Sequence, residues 1–157
     1  MTDFAFPSQD FPALPGLRVV AGDAWAPVIV AGPLLTLVRS VESGRFAPNV
    51  TASVTRFPAG YDFSTAVDAL DQQLSALPDA DVTVRDKGQL QGRDAYVQEV
   101  VFTEPEIGTL VQIDLVVLVD RGAAVDLVHV AGTAAADRLD TEYADVREIV
   151  QSLVVTV

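Results

Sequence analysis

Between Asn49 and Phe57 the chain alternates without a break: Val50, Ala52 and Val54 fall on one side, and Thr51, Ser53 and Thr55 on the other. A period of two residues is that of a strand with one dry and one polar face. Upstream, the short apolar pieces LRVV, APVIV and LLTLVRSV are punctuated by Gly22, Pro27, Gly32 and Pro33, which predicts brief strands separated by bends. From Ser64 to Leu77 the period changes. Val67, Leu70, Leu74 and Leu77 recur at helical spacing, Ser64 offers an N-cap oxygen, and Pro78 stops the run. Strand-like runs return at Val82 to Leu90, Arg93 to Thr103, Thr109 to Asp120 and Ala123 to Gly132, with bends at Gly92, Glu104 to Gly108 and Arg121-Gly122. Such short connections predict antiparallel neighbours. A second helical stripe follows, Leu139, Tyr143, Val146, Val150 and Leu153, with Asp140, Glu142, Asp145, Arg147 and Glu148 outside it, and Val154 to Val157 can close the fold as a strand.

These elements predict an α+β protein, a mainly antiparallel sheet with two amphipathic helices packed on it. Residues 1–157 read as one domain, because neither a repeat nor a low-complexity linker divides them. The first sixteen residues form a separate feature, an extended Phe- and Pro-rich arm whose Phe4, Phe6, Phe11 and Leu14 are spaced too irregularly for a helix or a half-buried strand. This arm is expected to lie across its own domain or a neighbouring subunit. In the hairpin at Arg121-Gly122, a two-residue turn sets Leu115 against Val128, Ile113 against Val130 and His129 opposite Asp114. A one-residue slip would oppose Leu118 to Asp126, so the first register is preferred.

The order of elements resembles the LpqN/LpqT-type proteins of actinobacteria and the wider PsbP-like α/β/α sandwich. The resemblance rests on the strand entry Pro48-Asn49-Val50, the exit Phe57-Pro58, the Leu-rich helix, the segment LQGRDAYVQEVVF from Leu90 to Phe102, a long hairpin and a last helix. It runs from about Phe46 to Val157, and Gly92-Arg93-Asp94-Ala95 matches that group's glycine turn. It implies a fold and an accessory role without a shared chemistry. The lipoprotein members carry a leader and a cysteine; there is no cysteine here and the start does not read as a leader, so the resemblance does not carry export with it.

Composition removes more functions than it adds. Twenty-two acids against ten Lys and Arg give a formal charge of −12, a surface that repels phosphate backbones and argues against nucleic acid or an anionic membrane as partner. With no cysteine there is no disulfide, thiol nucleophile, thiolate metal site or lipid anchor. No basic start with an unbroken apolar run marks a leader, so the chain reads as cytoplasmic as written, and an exported form with its leader removed would look the same. No cofactor motif is present. Asn49-Val50-Thr51 spells a glycosylation triplet but reads as the entrance of the alternating strand.

His129, the only histidine, forms with Asp114 the one polar pair to watch, a fragment of a hydrolytic triad on mid-strand positions without a serine elbow. Glu99 and Asp114 read as strand-surface charge rather than paired acid and base. The neighbouring acids Asp79 and Asp81, Glu104 and Glu106, and Asp137, Asp140 and Glu142 lack the spacing of a calcium loop, and no metal site is expected. Trp25 reads as core or as the seal of a sheet edge. Phe4, Phe6 and Phe11 are the candidate interaction surface, because an exposed aromatic patch marks a contact site. The leading expectation is therefore a non-catalytic protein-interaction or accessory module that binds another protein or itself. The alternative is a carrier of a small apolar ligand between sheet and helix, lined by Leu70, Leu74, Leu115 and Val117, and a third is a hydrolase using Asp114 and His129.

Overall fold

A computed structural model describes residues 1–157. The strands are β1 (Gly16–Arg18), β2 (Trp25–Pro27), β3 (Leu35–Arg39), β4 (Asn49–Pro58), β5 (Asp81–Leu90), β6 (Arg93–Glu104), β7 (Gly108–Asp120), β8 (Ala124–Ala135) and β9 (Val154–Thr156). Helix α1 spans Phe63–Ser75 and α2 spans Ala144–Gln151. Seven strands make one antiparallel sheet in the order β2-β3-β4-β8-β7-β6-β5, and β1 pairs with β9 in a small separate ribbon.

The sheet is covered on both faces. On one, α1 buries Val67, Leu70 and Leu74 against Tyr96, Val100, Phe102, Leu110 and Val116. On the other, α2 buries Val146, Ile149 and Val150 against Val50, Ala52, Ile113, Leu115, Val117, Val128 and Val130, with Leu17 and Val155 of the ribbon closing that layer. Strand β7 carries apolar residues at consecutive positions because both of its faces are covered. Trp25 packs half-buried at the edge of the α2 layer, as a seal.

Four expectations need correction. Helix α1 is capped by Asp62, whose Oδ1 accepts the Thr65 N–H at 2.7 Å, rather than by Ser64, which lies inside the first turn. The β7–β8 hairpin turns at Gly122-Ala123, with the Arg121 N–H donating to the Ala124 carbonyl and Gly122 at φ +76°. Leu115 therefore faces Val130 rather than Val128, and Ala131 rather than His129 stands opposite Asp114. The shift is two residues, so every side chain keeps its face. In the last helical stretch, a π-type turn at Leu139–Tyr143 precedes α2, leaving Leu139 exposed and bringing Glu142 inside against Arg45. Finally, the lining imagined for an apolar carrier is split: Leu70 and Leu74 lie under α1, and Leu115 and Val117 lie on the α2 side.

Candidate functional site

The polar pair is formed, diagonally. His129 pairs with Val116 in register and Asp114 with Ala131, all on the α1 side of the sheet. From there His129 Nε2 lies 2.7 Å from Asp114 Oδ1. A carboxylate can only accept, so the ring proton sits on Nε2. Asp114 is fully buried, and its Oδ2 accepts a second bond from Gln112 Nε2 at 2.8 Å. Gln98, opposite Asp114 across β6 and β7, is fully buried with neither amide atom bonded.

These residues fix the carboxylate on the sheet face. Five surface clefts of the molecule are lined by other residues. Asp114→Ala is expected to cost about 1–3 kcal/mol, because it leaves two partly buried donors, from Gln112 and His129, without their acceptor. Replacing both partners by leucine should cost less than the sum of the single changes, with a coupling of roughly 0.5–3 kcal/mol in urea melts. Additive losses would show that the pair does not act as a unit.

A second polar cluster ties down the N-terminal arm. Arg56 on β4 stands opposite Asp126 on β8 and donates from Nε and from its second terminal nitrogen to the two carboxylate oxygens, at 2.7 Å each. Such a bidentate pair has fixed geometry. The bond to Asp126 raises the Arg56 pKa above its ordinary value. The remaining guanidinium nitrogen donates to the Pro12 carbonyl. Arg121, at the hairpin turn, donates to the Ala13 carbonyl at 2.8 Å and approaches Asp126 Oδ2 at 3.4 Å. One fully buried carboxylate thus organises two arginines, and both reach the arm through backbone oxygens.

Beyond that latch the arm turns its side chains outward: Phe4, Phe6 and Phe11 are 71%, 65% and 48% exposed. The loop from β2 to β3 adds Val28, Ile29, Val30 and Leu34 to the exposed apolar surface of the N-terminal third. Sequence reasoning singled out the three phenylalanines but missed the latch, whose members are 70 and 44 residues apart along the chain. It read Glu99 and Asp114 as strand-surface charge, whereas both are buried, Glu99 on the α2 side, accepting from the Tyr143 hydroxyl and from Arg147 Nε. Burial, followed by the bond to Glu99, pushes the Tyr143 phenol well above its usual range.

A cleft of about 500 Å³ opens at the end of the sheet where the β4–α1, β5–β6 and β7–β8 connections meet, with Tyr61, Phe63, Arg93 and Asp120 among its walls. No group of three or more His, Asp or Glu side chains comes together as a metal-ligand set. No helix is long and apolar enough to cross a membrane.

The two-faced, helix-covered antiparallel sheet has close structural counterparts. LpqN of Mycobacterium tuberculosis, involved in cell envelope biogenesis, superposes with a TM-score of 0.79 at 15% identity, over 93% of this chain and 86% of its own. The chain has the PsbP-like fold. Cyanobacterial PsbP (CyanoP) from Synechocystis matches over 99% of this chain and 98% of its own, with a TM-score of 0.61 at 13% identity. A mutant of the protein Mog1 matches over 89% and 90%, at 0.56 and 11%. Identities this low establish the fold alone. No protein-family model and no curated protein sequence matches the chain.

Proposed function

We propose that this protein is an accessory module that binds another protein through its N-terminal arm. The observation that carries the reading is the division of labour within the arm. Its backbone is held at Pro12 and Ala13 by the arginine latch, while Phe4, Phe6 and Phe11 face solvent. Holding the backbone lowers the entropy a partner must remove on binding, and aromatic side chains supply large contact area. The partner surface that fits is an apolar groove. The named role of LpqN in cell envelope biogenesis is compatible with such a module, and the reading applies equally to a cytoplasmic protein and to an exported one.

The test is co-purification from the native cell with the full chain and with a Phe4→Ser, Phe6→Ser, Phe11→Ser variant, whose melting temperature should be unchanged because none of the three is buried. A protein recovered in stoichiometric amount by the full chain and lost by the variant is the expected result. Equal recovery by both forms, or by neither, removes the reading.

A further inference from the structure

The seven-stranded sheet ends on one side in a ten-residue strand, β5, which pairs only with β6. Its closing turn is Gln91-Gly92, both at positive φ, with Leu90 paired to Arg93. That two-residue turn fixes which backbone groups face inward: Val84, Asp86, Gly88 and Leu90 bond to β6, and the N–H and C=O groups of Arg85, Lys87 and Gln89 point outward. No backbone or side-chain bond satisfies them elsewhere in the chain, and the strand is solvent-exposed from Thr83 to Gln89. A bulge at Val82/Val84 limits the open edge to the part nearest the turn.

We propose that this edge is a docking site for an extended, acidic segment of another protein, which adds to the sheet as an eighth strand. Unpaired edge groups are a template for strand addition. The side chains select the occupant. Arg85 and Lys87 lie on the α1 face, opposite Gln98 and Tyr96. Lys87 is the only lysine of the chain and has no ion pair, and Arg85 has only a long one, 3.8 Å from Asp71. A partner strand carrying acids two residues apart places one against each cation.

A second copy is a poor occupant. The two-fold pairings that keep Arg85 within the joined edge set Arg85 against Lys87 with Asp86 against itself, or, one step along, Lys87 against itself; a pairing centred on Gly88 avoids like charges but sets Arg85 opposite the turn residue Gln91. Like charges directly opposite are destabilising. Asp86 lies between the two cations in sequence but on the opposite face of the strand, so on the α1 face the edge itself presents Arg85 and Lys87. This inference is independent of the arm, and the serine variant of the three phenylalanines should bind equally well.

The experiment is amide exchange by NMR on the full chain with the capped peptide acetyl-Val-Glu-Val-Glu-Val-amide and its lysine counterpart. The expected result is slowed exchange confined to Arg85, Lys87 and Gln89, with the glutamate peptide binding at least tenfold more tightly. Arg85→Glu with Lys87→Glu, both on the surface, should invert that preference. Lys87→Pro, which removes an outward N–H without touching the β5–β6 bonds, should abolish binding by either peptide. Protection at other strands, no preference between peptides, or a dimer in sedimentation that joins through β5 would each overturn the proposal.

Discussion

Asp126→Ala is expected to lower stability by about 2–3 kcal/mol and to free the N-terminal arm. Breaking a buried ion pair by removing one member costs about 3–5 kcal/mol when the survivor stays buried. Here the survivors are Arg56 and Arg121, whose side chains retain 27% and 13% exposure, so part of their charge can be rehydrated and the loss falls below that range. For a chain of this length the change corresponds to a drop in melting temperature of roughly 5–10 °C. Without the carboxylate the two guanidiniums lose the geometry that aims them at Pro12 and Ala13. The backbone order parameters of Ala13 and Leu14, read by 15N relaxation, should then fall below those of the native protein at temperatures well below the melting transition. Arg121→Ala, which keeps the bidentate Arg56 pair, should show a smaller effect on both readouts. A stability loss with unchanged order parameters at Ala13 and Leu14 would mean that the latch stiffens the sheet and does not hold the arm.

What could be read from the sequence and what could not divides along a physical line. Periodicity is local, so the alternation of β4 and the stripe of α1 appear in the residues themselves, and the hairpin bends follow from their glycines. The β7–β8 register could not be settled in the same way. A slip of two residues preserves which face each side chain occupies, so a rule that matches apolar to apolar cannot distinguish sums that differ by two. The pairing of Asp114 with His129 survived that error because both registers keep the two residues on one face and within reach of each other. The phase error at Glu142 has another cause. A π-type turn carries more residues per turn than an α-helix, so a pattern counted at 3.6 residues drifts, and Leu139 and Glu142 exchange environments. The arginine latch depends on pairing β4 with β8 and on where the arm comes to rest, and neither is encoded in a spacing.

Gly132 illustrates a requirement that only the packing reveals. It lies in the middle of β8 with ordinary strand torsions, so its conformational freedom is not the reason for a glycine there. A Cβ at this position would overlap Cγ1 of Val146 and stand 3.0 Å from Cγ2 of Val150, both fully buried on α2. The missing side chain is what lets the helix approach the sheet. Overpacking of a filled core costs about 1–3 kcal/mol, whereas replacing a strand glycine by alanine returns roughly 0.5–1 kcal/mol through the unfolded chain. Gly132→Ala is therefore expected to destabilise by a net ~1–2 kcal/mol, and Gly132→Val by more. The decisive measurement is the cycle with Val146→Ala. That change alone leaves a cavity and should itself be destabilising, but in the Gly132→Ala background the added methyl fills the space vacated. The double variant should then be more stable than the sum of the two losses predicts, by roughly 0.5–3 kcal/mol in urea melts. Strict additivity would show that α2 moves aside without cost and that the close approach is not required. Gly16→Ala provides the contrast, since its Cβ would meet only Thr156 Oγ1, an exposed side chain that can rotate away, and its effect should be small.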